Sequence, residues 1–262
     1  MDLEKKSATL CNLNLDEVSL NQKFMYIEEF GNSDGSFIIA SMIKDQIDNN
    51  HKIILILCHN SIGHFYSICK KIGCSLSYYH NSDNVFVIDV MDKIVSGNFL
   101  NSSNSLKNLY SEIKGKINEW GMNKNITLMV ENIGNLYLSG LNDVMNFIHY
   151  LRVLSFDLEN STVICSFHNF IKCPDFVKFS KTIKHVADII ITLKDLRTGT
   201  ANDVSGHLSV SKKEKLNLSK SDYHYLLKDK SFYVFAPEED RKIKSNYLIP
   251  YMITNRFDFL LN

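Results

Sequence analysis

The sequence predicts an α/β fold with a mainly parallel sheet flanked by helices and a C-terminal antiparallel extension. Three observations predict it. Short runs rich in β-branched and apolar residues alternate with longer amphipathic segments, the pattern of parallel strands joined by crossover helices. The run Ile53-Ile54-Leu55-Ile56-Leu57 is apolar at every position, as a strand covered on both faces must be. After Leu193 the helical segments stop, and only strand-like runs with polar connections follow.

In chain order, parallel strands are predicted over residues 24–27, 53–57, 85–88, 126–130, 162–165 and 189–193. Helices are predicted over 36–48, 62–72, 106–120 and 142–156. The last places Val144, Phe147, Ile148, Leu151 and Leu154 at helical spacing, leaves His149 and Arg152 off that stripe, and offers Asn142 as N-cap. The polar stretch 98–105 is the clearest internal loop, too short to divide domains. Strands over 207–210, 223–227 and 232–235 form the extension, the last two joined by a turn at Lys228-Asp229-Lys230. No internal repeat or low-complexity segment interrupts the series.

With 45% hydrophobic and 22% charged residues, the 262-residue chain can bury a substantial core. The 29 basic residues balance the 29 acidic ones, so no global field draws the molecule to nucleic acid or anionic lipid. Any RNA contact would have to be local, and Lys212-Lys213-Glu214-Lys215 reads as a solvated hairpin edge. No apolar run approaches the ~20 residues of a membrane span, and none near the N-terminus resembles a signal peptide. An intracellular protein, cytoplasmic or nuclear, is expected. Its six cysteines lack C-x-x-C spacing and are expected as free thiols. Cys165, His168 and Cys173 lack a fourth ligand for zinc, and neither a metal nor a cofactor is predicted. Cys58 and His59 are neighbours on an extended chain and so point to opposite faces, giving a core thiol and a surface imidazole.

In such a sheet phosphates favour the turn between the first strand and its helix. That turn carries Gly31, Asp34, Gly35 and Ser36. A working phosphate loop reads G-x-x-x-x-G-K-[ST]. Aligned on Gly35, the first glycine is Phe30, the lysine is Ser36 and the metal-binding hydroxyl is Phe37. Glu28, Glu29 and Asp34 add negative charge where a triphosphate would lie. A glycine-assisted turn into a helix, without hydrolysis, is the expectation. Glu131 ends the fourth strand at the position of a Walker B carboxylate and is expected to cap the strand end or meet a neighbouring loop. An atypical nucleotide pocket near Gly31, Asp89 and Glu131 is the alternative, and an autonomous RNA-binding module is a third.

Three passages then resemble the Elongator complex protein 6 family. The first is Asp34-Gly35-Ser36-Phe37, followed by His64-Phe65-Tyr66, Lys71-Ile72-Gly73 and Ser75-Leu76. The second runs over residues 143–152 and includes Phe147-Ile148-His149-Tyr150. The third is Thr198-Gly199, Asp203-Val204 and Gly206-His207-Leu208, then Asp229-Lys230-Ser231 and Phe235-Ala236. The resemblance implies a RecA-like domain over residues 20–236, after an N-terminal segment 1–19 and before a tail 237–262 with enough apolar surface to dock. It also implies a heterohexameric ring with Elongator subunits four and five, bound to a catalytic core that modifies tRNA wobble uridines, with tRNA met through the assembly. It supplies no catalytic residue. A ring subunit needs two partner-facing surfaces, for which His64, Phe65, Tyr66, Thr198, Gly199 and Asp203 are the candidates.

Overall fold

A computed structural model describes residues 13, 15, 20–97, 99, 104–158, 161–169, 174–196, 203–213, 218–229 and 231–235. Nine strands form one sheet in the order β3-β2-β4-β5-β1-β6-β7-β8-β9. The six predicted parallel strands are β1 (Lys23–Phe30), β2 (Lys52–Leu57), β3 (Val85–Asp89), β4 (Ile126–Glu131), β5 (Ser161–Asn169) and β6 (Ile189–Lys194), and every pairing among them is parallel. The extension is β7 (Gly206–Lys213), β8 (Leu218–Lys228) and β9 (Ser231–Phe235), antiparallel from β6 outward. Asp229 lies in the turn before β9, as the hairpin reading expects; Lys230 is outside the described residues. The architecture is RecA-like: a mostly parallel sheet, helices on both faces, and an antiparallel edge.

The helices are α1 (Ser36–Asp48), α2 (Ile62–Lys71), α3 (Leu76–Asn81), α4 (Val90–Val95), α5 (Ser105–Trp120), α6 (Leu141–Asp157) and α7 (Pro174–Val186), with a 3₁₀ segment at Ile133–Ser139. One core lies under α1 and α2, where Ile38, Ile39, Met42 and Phe65 meet Met25, Ile27, Ile53 and Leu55. The other lies under α5, α6 and α7, where Ile113, Phe147, Ile148 and Phe179 meet Phe24, Tyr26, Ile54 and Ile56. Period-two alternation along β1 and β2 supplies both cores from the same strands. Leu13 and Leu15, from the N-terminal segment, are buried in the first core.

Helix α7 was not legible as a helix, because Phe176, Phe179 and Ile183 form its narrow apolar stripe among polar residues. Helix α6 begins one residue before the predicted Asn142 cap. Gly140 occupies the cap position at φ 98°, and Asn142 is exposed in the first turn. Arg152, off the stripe as expected, forms a two-pronged pair with Asp188 (2.6 and 2.9 Å), whose Oδ2 also accepts the Phe24 N–H at 2.8 Å. One carboxylate therefore ties α6 to the starts of β1 and β6. Among the described residues no helix is long and apolar enough to cross a membrane.

Candidate functional site: a phosphate loop closed by its own carboxylates

The C-terminal ends of β1, β4 and β5 and the turn between β1 and α1 enclose a cleft of about 210 Å³, lined by Glu29, Asp34, Ser36, Asn60, Glu131 and His168 among others. That is below the ~300–1,000 Å³ of ordinary small-molecule pockets. Its position follows from the fold, since the sheet order reverses around β1 and leaves a crevice there.

Alternation at the end of β1 sends the two glutamates to opposite faces. Glu28 is fully buried on the α7 side, where Ser180 donates to it and Lys184 pairs with it at 2.6 Å. Glu29 turns into the cleft at 7% exposure. It accepts the Gly35 N–H, and a Cβ at Gly35 would lie 2.7 Å from its Oε1. Burial pushes the Glu29 carboxyl up to about 8; the Gly35 amide opposes this, and the charges of Asp34 and Glu131 add to it.

In a working loop the backbone N–H groups point at phosphate oxygens. Here the chain's own oxygens take them. Asp195, on the far side of β6, accepts the Asn32 N–H at 2.7 Å. Ser33 Oγ accepts the Phe30 N–H at 3.0 Å, and Asp34 Oδ1 accepts the Ser36 N–H at 2.8 Å. Gly31 sits at φ +67°, and a Cβ there would come 2.2 Å from Asp195 Oδ2, so glycine is needed for both conformation and space. Phe37, at the position of the metal-binding hydroxyl, turns away from the cleft, stacking on Tyr225 at 5.4 Å and meeting Phe232 at a tilt at 4.9 Å. The antiparallel extension has thus taken over this position for packing.

Glu131 Oε2 accepts the N–H groups of Cys58, His59 and Asn60 (3.1, 2.8 and 3.2 Å), and its Oε1 accepts from Asn60 Nδ2 at 3.0 Å. Burial raises its pKa, and the three amides partly offset the shift. It therefore organises the turn after β2. Asp89 lies elsewhere: its Oδ1 accepts the Asp92 N–H at 3.0 Å and caps α4. The structure does not gather Gly31, Asp89 and Glu131 into one pocket, and Gly31 and Asp89 do not line the cleft. His168 Nε2 meets the Gly31 carbonyl at 2.8 Å, so that nitrogen carries the proton, and its Nδ1 stands 3.7 Å from Glu29. Among the described residues the cleft is lined by three carboxyl groups, two imidazoles and no lysine or arginine.

Sequence reasoning missed Asp195 and Asn60, since neither carries a local signal and Asp195 meets a loop 163 positions away. Among the partner-facing candidates, Phe65 is corrected: it is fully buried in the core beneath α2, so it offers no surface. The amphipathic register of α2 turns it inward. His64 and Tyr66 are half-buried, Tyr66 bonding to His80 at 2.6 Å; Asp203 is exposed; Thr198 and Gly199 lie outside the described residues. Cys58, Cys69, Cys74 and Cys165 are free and buried, and His59 is exposed. Cys11, Cys173, Glu214, Lys215 and the tail 237–262 lie outside the described residues.

Residues 7–230 match the family described as Elongation complex protein 6. The chain belongs to that family. The match takes in the closed loop, all six parallel strands and most of the extension, so the cleft is part of an Elongator subunit rather than an appendage. No curated protein matches the chain. The first passage on which the resemblance rests, residues 34–37, coincides with the turn where Asp34 caps an amide and Phe37 leaves the cleft.

Proposed function

We propose that this Elongation complex protein 6 family member is a non-catalytic structural subunit of the Elongator accessory ring, a hexamer with subunits four and five, and that it supports tRNA wobble-uridine modification through that assembly. The observation that carries the reading is the closed loop. The amides that would cradle phosphates are bonded to Asp195, Ser33, Asp34 and Glu29, and displacing them would set the carboxylates of the half-buried Asp195 and the exposed Asp34 against a polyanion. Neither of the groups that supply charge and metal in phosphoryl transfer, lysine and hydroxyl, stands at its position.

Two measurements test this together. The native mass of the endogenous assembly is expected at ring size, with two related RecA-like chains. Titration of the full chain with magnesium ATP is expected to show no saturable binding. Saturable binding abolished by Gly35→Arg would replace this reading with a nucleotide-binding one, and recovery as a monomer would remove the ring.

A further inference from the structure

We propose that the groove between α6 and α7 docks an acidic, partly apolar segment of another protein. The groove measures about 540 Å³ and is walled by His149 of α6 and by one face of α7. On α7, Lys178, Lys181 and His185 recur at intervals of three and four, with Val177 four before Lys181, so they stand along one side of the helix facing the groove. On α6, Val153 and Phe156 continue the line of His149 by one and two turns. Val177, Val153 and Phe156 are 44%, 52% and 55% exposed, three large apolar side chains on the same two helices.

Charge decides what the groove can accept. Lys178, Lys181 and His185 face it, and among the described residues no carboxylate lines it. Among the described residues Lys178 and Lys181 form no ion pair, whereas Lys184, on another side of the same helix, pairs with Glu28. A lysine with a structural role is thus already matched, and the two in the groove keep their charge for a partner. The apolar lining favours protein over RNA. Phosphates would use the lysines but gain nothing from Val153 and Val177, and one face of Phe156 is covered by the Arg152 guanidinium at 4.2 Å, which leaves it poorly placed to stack bases. Carboxylates spaced to meet Lys178 and Lys181, beside an aliphatic or aromatic anchor, use both halves of the surface.

The inference rests on the assembly reading only in requiring a second protein. Zero-length carbodiimide cross-linking of the native, full-length complex joins lysine amines to carboxylates in direct contact. Lys178 and Lys181 are expected to link to Asp or Glu of a different chain. The doubly reversed full chain, Lys178→Glu with Lys181→Glu, is expected to lose affinity for that chain at least about tenfold, with its own melting temperature unchanged. Links only to the acidic residues 238–240 of the same chain, retention of every partner by the variant, or a fall in tRNA affinity alone would each overturn it. A ring-sized particle without these links sinks the groove and spares the ring; links to one chain in a smaller particle do the reverse.

Discussion

Two polar regions of this molecule have opposite bookkeeping. In the cleft at the end of β1, each carboxylate that enters already accepts one or more backbone amides, as Glu131 does from Cys58, His59 and Asn60. In the groove between α6 and α7, Lys178 and Lys181 have no counter-charge among the described residues. The first region looks like a ligand site by position and is closed by hydrogen bonding. The second has no catalytic look and is open. Satisfaction of polar groups, more than location in a fold, separates a closed cleft from an open surface.

The largest expected effect sharpens the closed half. Glu131→Ala strands the buried Cys58 amide and the half-buried amides of His59 and Asn60, and should cost roughly 3 kcal/mol in urea unfolding without creating nucleotide binding. If the variant instead binds magnesium ATP, Glu131 was the lock on a functional loop and the contrast between the two regions fails.

Next comes pH. The Glu29 carboxyl titrates near 8 in the folded chain against an ordinary value of 4.5, because burial disfavours its charge. Between those values the native state holds a proton that the unfolded state has released. Stability should therefore be highest below about pH 4.5 for this group's contribution and fall by several kcal/mol as pH rises through 8. Comparing denaturant midpoints across that window in wild type and Glu29→Gln isolates it: the variant should lack this group's share of the slope.

Gly31→Ala should cost about 2 kcal/mol, from the left-handed backbone and the collision with Asp195, and thermal unfolding reads it directly. A silent substitution would mean that Asp195 does not hold the loop. The smallest effect belongs to the open half. Lys178→Glu with Lys181→Glu should change stability by no more than about 0.5 kcal/mol in the isolated chain, because neither lysine forms an ion pair among the described residues. A larger loss would place them in the fold rather than at a docking surface.

Much of this was readable from residue order. The apolar continuity of 53–57 marked a strand covered on both faces, and the loss of helical segments after Leu193 marked the antiparallel edge. The missing lysine and hydroxyl at Ser36 and Phe37 were equally plain. Helix α7 escaped because its apolar residues, though at helical spacing, are few among thirteen, and Phe65 misled because an aromatic between two polar aromatics resembles a surface patch until the register of α2 turns it inward.

The sequence by itself determined the class of sheet, the succession of its strands with four of the seven helices described, and the absence of phosphate-handling groups, since each depends on which residue types recur at which local spacing. Only the tertiary structure decided that the loop is filled from within. Asp195 reaches Asn32, Glu131 reaches the turn after β2, and Phe37 leaves the cleft for Tyr225, and each of these contacts joins residues at least 70 positions apart. Hydrogen bonds and charge pairing act over a few ångströms in space, and local sequence carries no record of which distant strand will supply the partner.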